Sequence, residues 1–211
     1  MDDSTKFWNR IAPRYSRQPI ADVASYRRKL EITQSYFHPQ MSVLELGCGT
    51  GSTAIIHAPE VKQIKAVDIA SAMIDIARAK AERAGIHNIQ FEVASIEQLV
   101  VADQSVDMVL AMSVLHLVDD FDAAIRKMTA MLKPGGLLVT STACLADDMN
   151  WLRLILPVGR AVGMLPKVSF FTQQQLLASF ENNGFIIEER WKPGKRKAVF
   201  MVARKPLPQL R

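Results

Sequence analysis

Gly47, Gly49 and Gly51 follow an apolar run, Val43-Leu44-Glu45-Leu46, that carries an acid just inside its end. Residues without a Cβ let backbone N–H groups and carbonyls come close to a ligand, and they permit a tight turn from strand to helix. Nucleotide sites of several chemistries use such a turn, so a second acid decides the reading. Asp68 closes the next apolar stretch, Ile64-Lys65-Ala66-Val67, about 20 residues after the first glycine, where a carboxylate accepts from ribose hydroxyls. The pair reads as a site for a nucleoside-bearing cofactor. Further on, Ala111-Met112-Ser113-Val114-Leu115-His116 ends in a side chain that titrates in the range useful for proton transfer. His116 is a candidate general base, or a residue that orients its loop or binds the cofactor edge. Asp119 and Asp120 read as caps of a helix beginning at Phe121.

These residues need elements to hold them. Short apolar runs alternate with longer amphipathic ones, predicting strands at 42–46, 63–68, 88–93, 106–111 and 136–142, then a terminal pair at 184–191 and 197–203. Most of the early strands are nearly continuous in apolar residues, as strands buried on both faces are. Phe121, Ile125, Met128 and Leu132 recur at helical spacing until Lys133-Pro134-Gly135-Gly136 stops the helix. Thr172-Gln173-Gln174-Gln175 has the spacing of a capping box, and Asn183-Gly184 supplies a helix stop. Alternating strand and helix implies a mainly parallel sheet with helices on both faces. The last two strands are joined by a short turn at Pro193-Gly194-Lys195 and must be antiparallel. Residues 1–37 are expected to form one or two helices. They and residues 145–171 can reach the carboxyl edge of the strands, where ligands of open α/β sheets bind.

The bulk numbers narrow the classes. A chain of 211 residues, 49% hydrophobic and 22% charged, suits one globular domain. Two cysteines, Cys48 and Cys144, make a disulfide framework improbable and point to a reducing, cytoplasmic location. No basic-then-apolar leader opens the sequence, so secretion is not expected. The apolar stretch from Trp151 to Pro166 is interrupted by Arg153, Pro157 and Arg160 and is too short to span a bilayer. The net charge is +5, and basic residues crowd the end: Lys192, Lys195, Arg196, Lys197, Arg204, Lys205 and Arg211. They read as a solvated hairpin and tail, or as a patch for anionic headgroups or RNA. Only Trp191 and Phe200 are interleaved as stacking platforms, so nucleic acid is the weaker partner.

Four ordered blocks resemble the class I S-adenosylmethionine-dependent methyltransferase family, in the group that includes ubiquinone and menaquinone biosynthesis methyltransferases. They are Glu45-Leu46-Gly47-Cys48-Gly49-Thr50-Gly51, Val67-Asp68-Ile69-Ala70-Ser71-Ala72-Met73, Asp107-Met108-Val109 through Leu115-His116, and Leu132-Lys133-Pro134-Gly135-Gly136. The resemblance implies an α/β, Rossmann-like, doubly wound seven-stranded sheet, mostly parallel, with an antiparallel C-terminal strand pair and an N-terminal helical lid. It implies a single methyltransferase domain over 1–211, with lid helices in 1–37 and an acceptor-side insertion at 145–171. The implied cofactor is S-adenosylmethionine, leaving as S-adenosylhomocysteine, and no metal is implied. Gly47, Cys48, Gly49 and Gly51 would pass beneath the methionine and ribose, with Glu45 holding backbone groups or the ammonium. Asp68, followed by Ile69, would take the ribose hydroxyls. Met73 would lie against the adenine, which is compatible with packing the core of its own helix. Ser95 and Ile96 stand where relatives place an acid for the adenine amino group, and Glu97 is the alternative. Ala111 and Met112 would flank the sulfonium. Tyr15, in the lid opening Phe7 to Tyr15, would approach the cofactor carboxylate with Tyr26 and Arg27 behind it, or else pack an amphipathic helix.

Methyl transfer from a sulfonium is an in-line displacement, in which a protein chiefly aligns the nucleophile and excludes water. An Asn/Asp-Pro-Pro-aromatic signature is missing after the fourth strand, which argues against methylation of adenine N6 or of glutamine. Residues 149–171 carry Met149, Trp151, Leu152, Leu154, Ile155, Leu156, Val158, Val162, Met164, Leu165, Phe170 and Phe171. They read as an apolar pocket or membrane-surface helix rimmed by Arg153 and Arg160, or as packing on the lid or a homodimer contact. The expected acceptor is an apolar or aromatic small molecule, and the expected state a monomer or homodimer. Rival readings are a cofactor-binding protein without turnover, an RNA methyltransferase, and an NAD-dependent oxidoreductase using Gly49-Thr50-Gly51-Ser52-Thr53-Ala54.

Overall fold

The computed structural model describes residues 3–153, 156 and 165–208. The chain divides into two compact units, Met1–Leu99 and Val100–Arg211.

The first unit runs α1 (Asp3–Tyr15), α2 (Val23–Gln34), β1 (Ser42–Leu46), α3 (Ser52–His57), β2 (Gln63–Asp68), α4 (Ser71–Arg83) and β3 (Ile89–Val93). Its strands pair in parallel in the order β3-β2-β1. Leu46 lies opposite Val67 in the register, so the glycine turn and Asp68 leave the sheet at the same edge. Val43 to Leu46 are all buried, as the continuous apolar reading of β1 requires. In α4, Met73, Ile74, Ala77 and Ala81 form the buried face. Ala77 meets the glycine turn: a Cβ placed on Gly51 would stand 2.8 Å from Ala77 Cβ, and the residue's φ is +74°. Glycine alone satisfies both conditions.

The two N-terminal helices form as expected. Trp8, Ile11 and Ala12 of α1 pack with Ala70, Met73 and Ile76. The N-cap of α4, Ala70, has no side chain to offer the first turn. Asn9 of α1 supplies it, with Oδ1 accepting from Ala72 N at 2.9 Å and from Ser71 Oγ at 3.3 Å.

The second unit runs β4 (Val106–Met112), α5 (Phe121–Met131), β5 (Leu132–Thr142), α6 (Leu145–Asp148), α7 (Gln173–Asn182), β6 (Ile186–Trp191) and β7 (Val199–Arg204). The strand order is β4-β5-β7-β6, with β4 and β5 parallel and the other two pairings antiparallel. The predicted capping box is present: Thr172 Oγ1 accepts from Gln175 N, and Gln175 Oε1 accepts from Thr172 N. Strand ends differ from expectation by one or two residues at β3, β4, β6 and β7, and two larger differences have a visible cause. β5 begins at Leu132 rather than at 136, because the Lys133–Gly136 stretch is a bulge between the pairs Val106–Leu132 and Met108–Leu137. Gly135, at φ +78°, donates to Lys205 O at 2.9 Å, and Lys205 N donates to Gly136 O at 2.8 Å, so the glycines that stop the helix are already paired with the sheet. The link between β6 and β7 spans 192–198 rather than a three-residue turn. Lys192 Nζ and Arg196 N both donate to Asp148 Oδ2, at 2.7 and 3.1 Å, which draws the loop onto α6.

Among the described residues, no helix is long and apolar enough to cross a membrane. Leu154, Ile155, Val158, Arg160, Val162, Met164 and Arg211 lie outside the described residues.

Candidate active site

In the first unit, Asp68 is aimed back at the glycine turn. Its Oδ2 accepts from Gly49 N and its Oδ1 from Ala70 N, both at 2.9 Å. Burial raises the carboxyl pKa above its ordinary value, and the N–H donors of Ala70, Gly49 and Ile69 work against that rise. The turn is tied to the neighbouring strand by Cys48 N, which donates to Val67 O at 2.9 Å. The Cys48 thiol is buried, and burial pushes its pKa up, so it is no nucleophile at neutral pH.

Glu45 is 2% exposed, and its Oε2 has no hydrogen-bond partner. Burial, and then the charge of Asp68, raises its pKa to about 8. An acid left in this condition is costly unless a cation or donor meets it. The α-ammonium of an amino-acid ligand is such a group, so the donor set fits S-adenosylmethionine.

Tyr15 completes this cluster. A Cβ built on Gly49 would lie 3.9 Å from Tyr15 Cε1, so the ring at the end of α1 stands over the turn. Although the residue is 46% exposed overall, partial desolvation, then the charge of Asp68, raises the phenol pKa. Tyr26 lies behind, its hydroxyl 3.3 Å from Thr53 Oγ1, while Arg27 is exposed. Ile69 is half-buried beside Asp68. Met73 is packed in the α1–α4 core, a place compatible with the expected contact to adenine. After β3, Ile96 is buried, and Ser95 Oγ accepts from Gln98 N at 3.2 Å. That local bond takes one of the two acceptor sites of the hydroxyl oxygen.

Two contacts here escaped the sequence reading. Asn9 is polar within an otherwise apolar α1 stripe, which is the one signal that could have found it. Lys80 Nζ donates to Thr50 Oγ1 at 2.8 Å and to Ser52 Oγ at 3.3 Å. Its spacing along α4 does not set it apart from any solvated lysine.

In the second unit, Ala111 is buried and Met112 half-buried at the carboxyl end of β4. Ser113 has φ +64° and donates to Ser141 O at 2.7 Å, which sets the departure of the loop. His116 sits in a single 3-10 turn, Leu115–Leu117, and its carbonyl accepts from Ser169 N at 2.8 Å. Its Nδ1 is buried without a partner, and burial lowers the imidazole pKa to about 4. The ring is therefore neutral at pH 7 with a nitrogen uncommitted. Asp120 caps α5 by accepting from Ala123 N at 2.9 Å, whereas Asp119 pairs with Lys167 instead. One carboxylate satisfies the cap, leaving the other to bind the acceptor-side segment. In that segment Phe171 is core, its ring 4.2 Å from Phe121, while Trp151 is 58% exposed. No group of three or more His, Cys, Asp or Glu is placed to hold a metal ion among the described residues.

A family model described as a methyltransferase domain matches residues 37–195. The chain belongs to the methyltransferase domain family. This methyltransferase domain is similar to the uncharacterized methyltransferase YcgJ of Bacillus subtilis (strain 168), 31% identical over 94 residues, 44% of this chain and 37% of that protein. It is similar also to a ubiquinone biosynthesis O-methyltransferase of Methylobacterium sp. (strain 4-46), 27% identical over 176 residues, 75% of this chain and 70% of that one. The chain spans only 37% of the first of these curated relatives and 70% of the second. The crystal structure of the Bacillus YcgJ protein superposes with a TM-score of 0.72 at 17% identity, covering 85% of this chain and 99% of that one. A geranyl diphosphate methyltransferase solved with GPP and sinefungin gives 0.71 at 13% identity, covering 85% and 77%. At such identities the likeness shows the fold, which is the Rossmann-like, mostly parallel α/β sheet of class I S-adenosylmethionine-dependent methyltransferases. All four of the sequence blocks fall within the matched span.

Proposed function

We propose that the chain transfers a methyl group from S-adenosylmethionine to an oxygen of an apolar or aromatic small molecule. The observation that carries the cofactor half is the buried, unpartnered Oε2 of Glu45 in the same unit as a carboxylate, Asp68, already oriented by two backbone N–H groups. The oxygen acceptor is supported by the O-methyltransferase name of the Methylobacterium relative, with His116 as the candidate base.

Glu45 would hold the ammonium, Asp68 the ribose hydroxyls, and Gly47, Cys48, Gly49 and Gly51 the intervening backbone contacts, with Tyr15 as cover. When bound, the cofactor supplies a methyl group on a sulfonium, already activated for displacement. The remaining work belongs to the chain: to exclude water and to free an electron pair on the acceptor. His116 would take the proton from the acceptor hydroxyl; burial keeps its ring neutral at pH 7 but also makes it a weak base, so the acceptor has to reach the ring for the transfer to occur. Ala111 and Met112 would flank the sulfonium, and the described part of residues 145–171 would supply the acceptor side. Trp151, Leu165 and the Phe170–Arg153 pair give that side its apolar character; the Arg153 guanidinium lies 5.0 Å from the ring centroid.

Cell extract incubated with the purified chain and methyl-labelled S-adenosylmethionine tests the whole reading. Label in an organic-soluble small molecule supports it, and label confined to RNA or protein overturns the acceptor class. Absence of S-adenosylhomocysteine binding in calorimetry, with binding of NAD, overturns the cofactor.

A further inference from the structure

Lys80, on the third turn of α4, is not among the residues that would touch the cofactor. Its ammonium nonetheless bonds the hydroxyls on either side of Gly51: Thr50 Oγ1 at 2.8 Å and Ser52 Oγ at 3.3 Å. Thr50 is itself buried. One helical turn earlier on the same face, Ala77 closes against Gly51, and Phe91 Cε1 would stand 3.2 Å from a Cβ there. The turn is thus fixed from two directions by one helix, apolar contact at the glycine and charge-assisted hydrogen bonds at its neighbours. Burial, and then the charge of Arg83, lowers the lysine pKa, which marks the ammonium as partly withdrawn from water to make these bonds.

We infer that Lys80 is a positioning residue for the cofactor, holding Thr50-Gly51-Ser52 so that the backbone from Gly47 to Gly51 is set before any ligand arrives. The inference rests on the reading of this turn as the S-adenosylmethionine site. A turn ordered in advance loses less conformational freedom on binding. Such a residue acts on donor and product alike, so its loss raises the dissociation constant of both and the KM for the donor, and leaves kcat at saturation unchanged.

The test is calorimetric titration of S-adenosylhomocysteine into the wild type and into Lys80→Met, Thr50→Val, the double variant and Lys80→Arg, with melting temperatures recorded in parallel. Lys80→Met and Thr50→Val are each expected to weaken binding about tenfold, as loss of a hydrogen bond to a charged group does. The double variant is expected to lose no more than Lys80→Met alone, because that change already removes the bond to Thr50 together with the one to Ser52, and Lys80→Arg recovers most of the affinity. A wild type that does not bind the ligand overturns the cofactor reading and this inference with it. A wild type that binds while Lys80→Met binds equally well, even at a lower melting temperature, overturns the inference alone. So does a roughly hundredfold additive loss in the double variant. Should Lys80→Met not fold, Thr50→Val decides alone: unchanged affinity overturns the proposal and a tenfold loss supports it.

Discussion

Glu45 shows how a single carboxyl couples ligand affinity to stability. Its ordinary pKa of 4.5 rises to about 8 in the folded chain. A group that holds its proton more tightly when folded costs stability as pH rises between the two values, here by roughly 5 kcal/mol at most. Binding an ammonium reverses the balance, because the ionised carboxylate then has a partner. Affinity for S-adenosylhomocysteine is therefore expected to improve as pH rises from 6 to 8, with proton release detectable as a buffer-dependent calorimetric heat. Glu45→Gln removes both effects: binding weakens at least tenfold and loses this pH dependence, while the ligand-free chain becomes more resistant to urea at pH 8. A Glu45→Gln chain that binds as tightly as the wild type, with the same proton release, removes Glu45 from the site. Glu45, Asp68 and the glycines were legible in the sequence because their chemistry is local to strand ends. The bond from Gly49 N to Asp68 was not, since it depends on β1 and β2 lying side by side.

At the scale of elements, two helix ends are completed by residues distant in sequence. Asn9 caps α4 from α1, and Lys205 Nζ caps α5 by donating to Thr129 O and Leu132 O, both at 2.7 Å. Asn9→Ala leaves the first turn of α4 without its acceptor and is expected to cost about 1 kcal/mol in urea unfolding, while Asn9→Asp, which keeps the oxygen and adds charge at a helix N-terminus, is expected to be neutral or stabilising. Equal losses in the two variants point to packing of α1 rather than to the cap. Lys205→Met, which keeps the stem and deletes the ammonium, is expected to cost about 2 kcal/mol by orphaning two carbonyls. An unchanged urea midpoint excludes that role. Hydropathy periodicity located every strand and most helices, and capping chemistry marked α5 and α7, because those signals are carried by neighbours in the chain. The start of β5 at Leu132 and the long 192–198 loop were illegible for the opposite reason. Their geometry is set by Lys205 pairing with the bulge and by Asp148 gathering Lys192 and Arg196, partners 44 to 70 positions away. Arg204 reinforces the first of these, donating to Gly135 O at 2.9 Å.

Across the whole chain, each unit buries one histidine whose Nδ1 lacks a partner, His57 in the first and His116 in the second. Burial lowers both to about 4 from an ordinary 6.5. A base that is harder to protonate when folded contributes stability that is complete above its unfolded pKa and is lost as pH falls from 6.5 toward 4. Glu45 acts in the opposite sense between 4.5 and 8, and Asp68, also raised by burial, adds to Glu45 from a more acidic starting point. Near pH 5.5 the unfolded chain therefore holds two extra imidazole protons, and the folded chain holds the carboxyl proton of Glu45. Each uncompensated proton is worth roughly 1.4 kcal/mol per pH unit, so the two histidines outweigh Glu45 there, and stability rises with pH once Asp68 has ionised in both states. Above 6.5 the histidines are neutral in both states, and only the carboxyl penalty remains. Urea midpoints of the ligand-free chain are thus expected to peak near pH 6.5 and to fall on either side. His57 stacks edge to face on Phe37, with ring centroids 4.9 Å apart, so His57→Phe keeps an aromatic partner while removing the titration. In His57→Phe combined with His116→Phe the peak is expected to give way to a steady decline from pH 5 to 8. The comparison uses the shape of the profile rather than its height, so a general loss of stability in the double variant does not confound it. Retention of the peak in that variant shows that groups other than these two histidines set the acid limb.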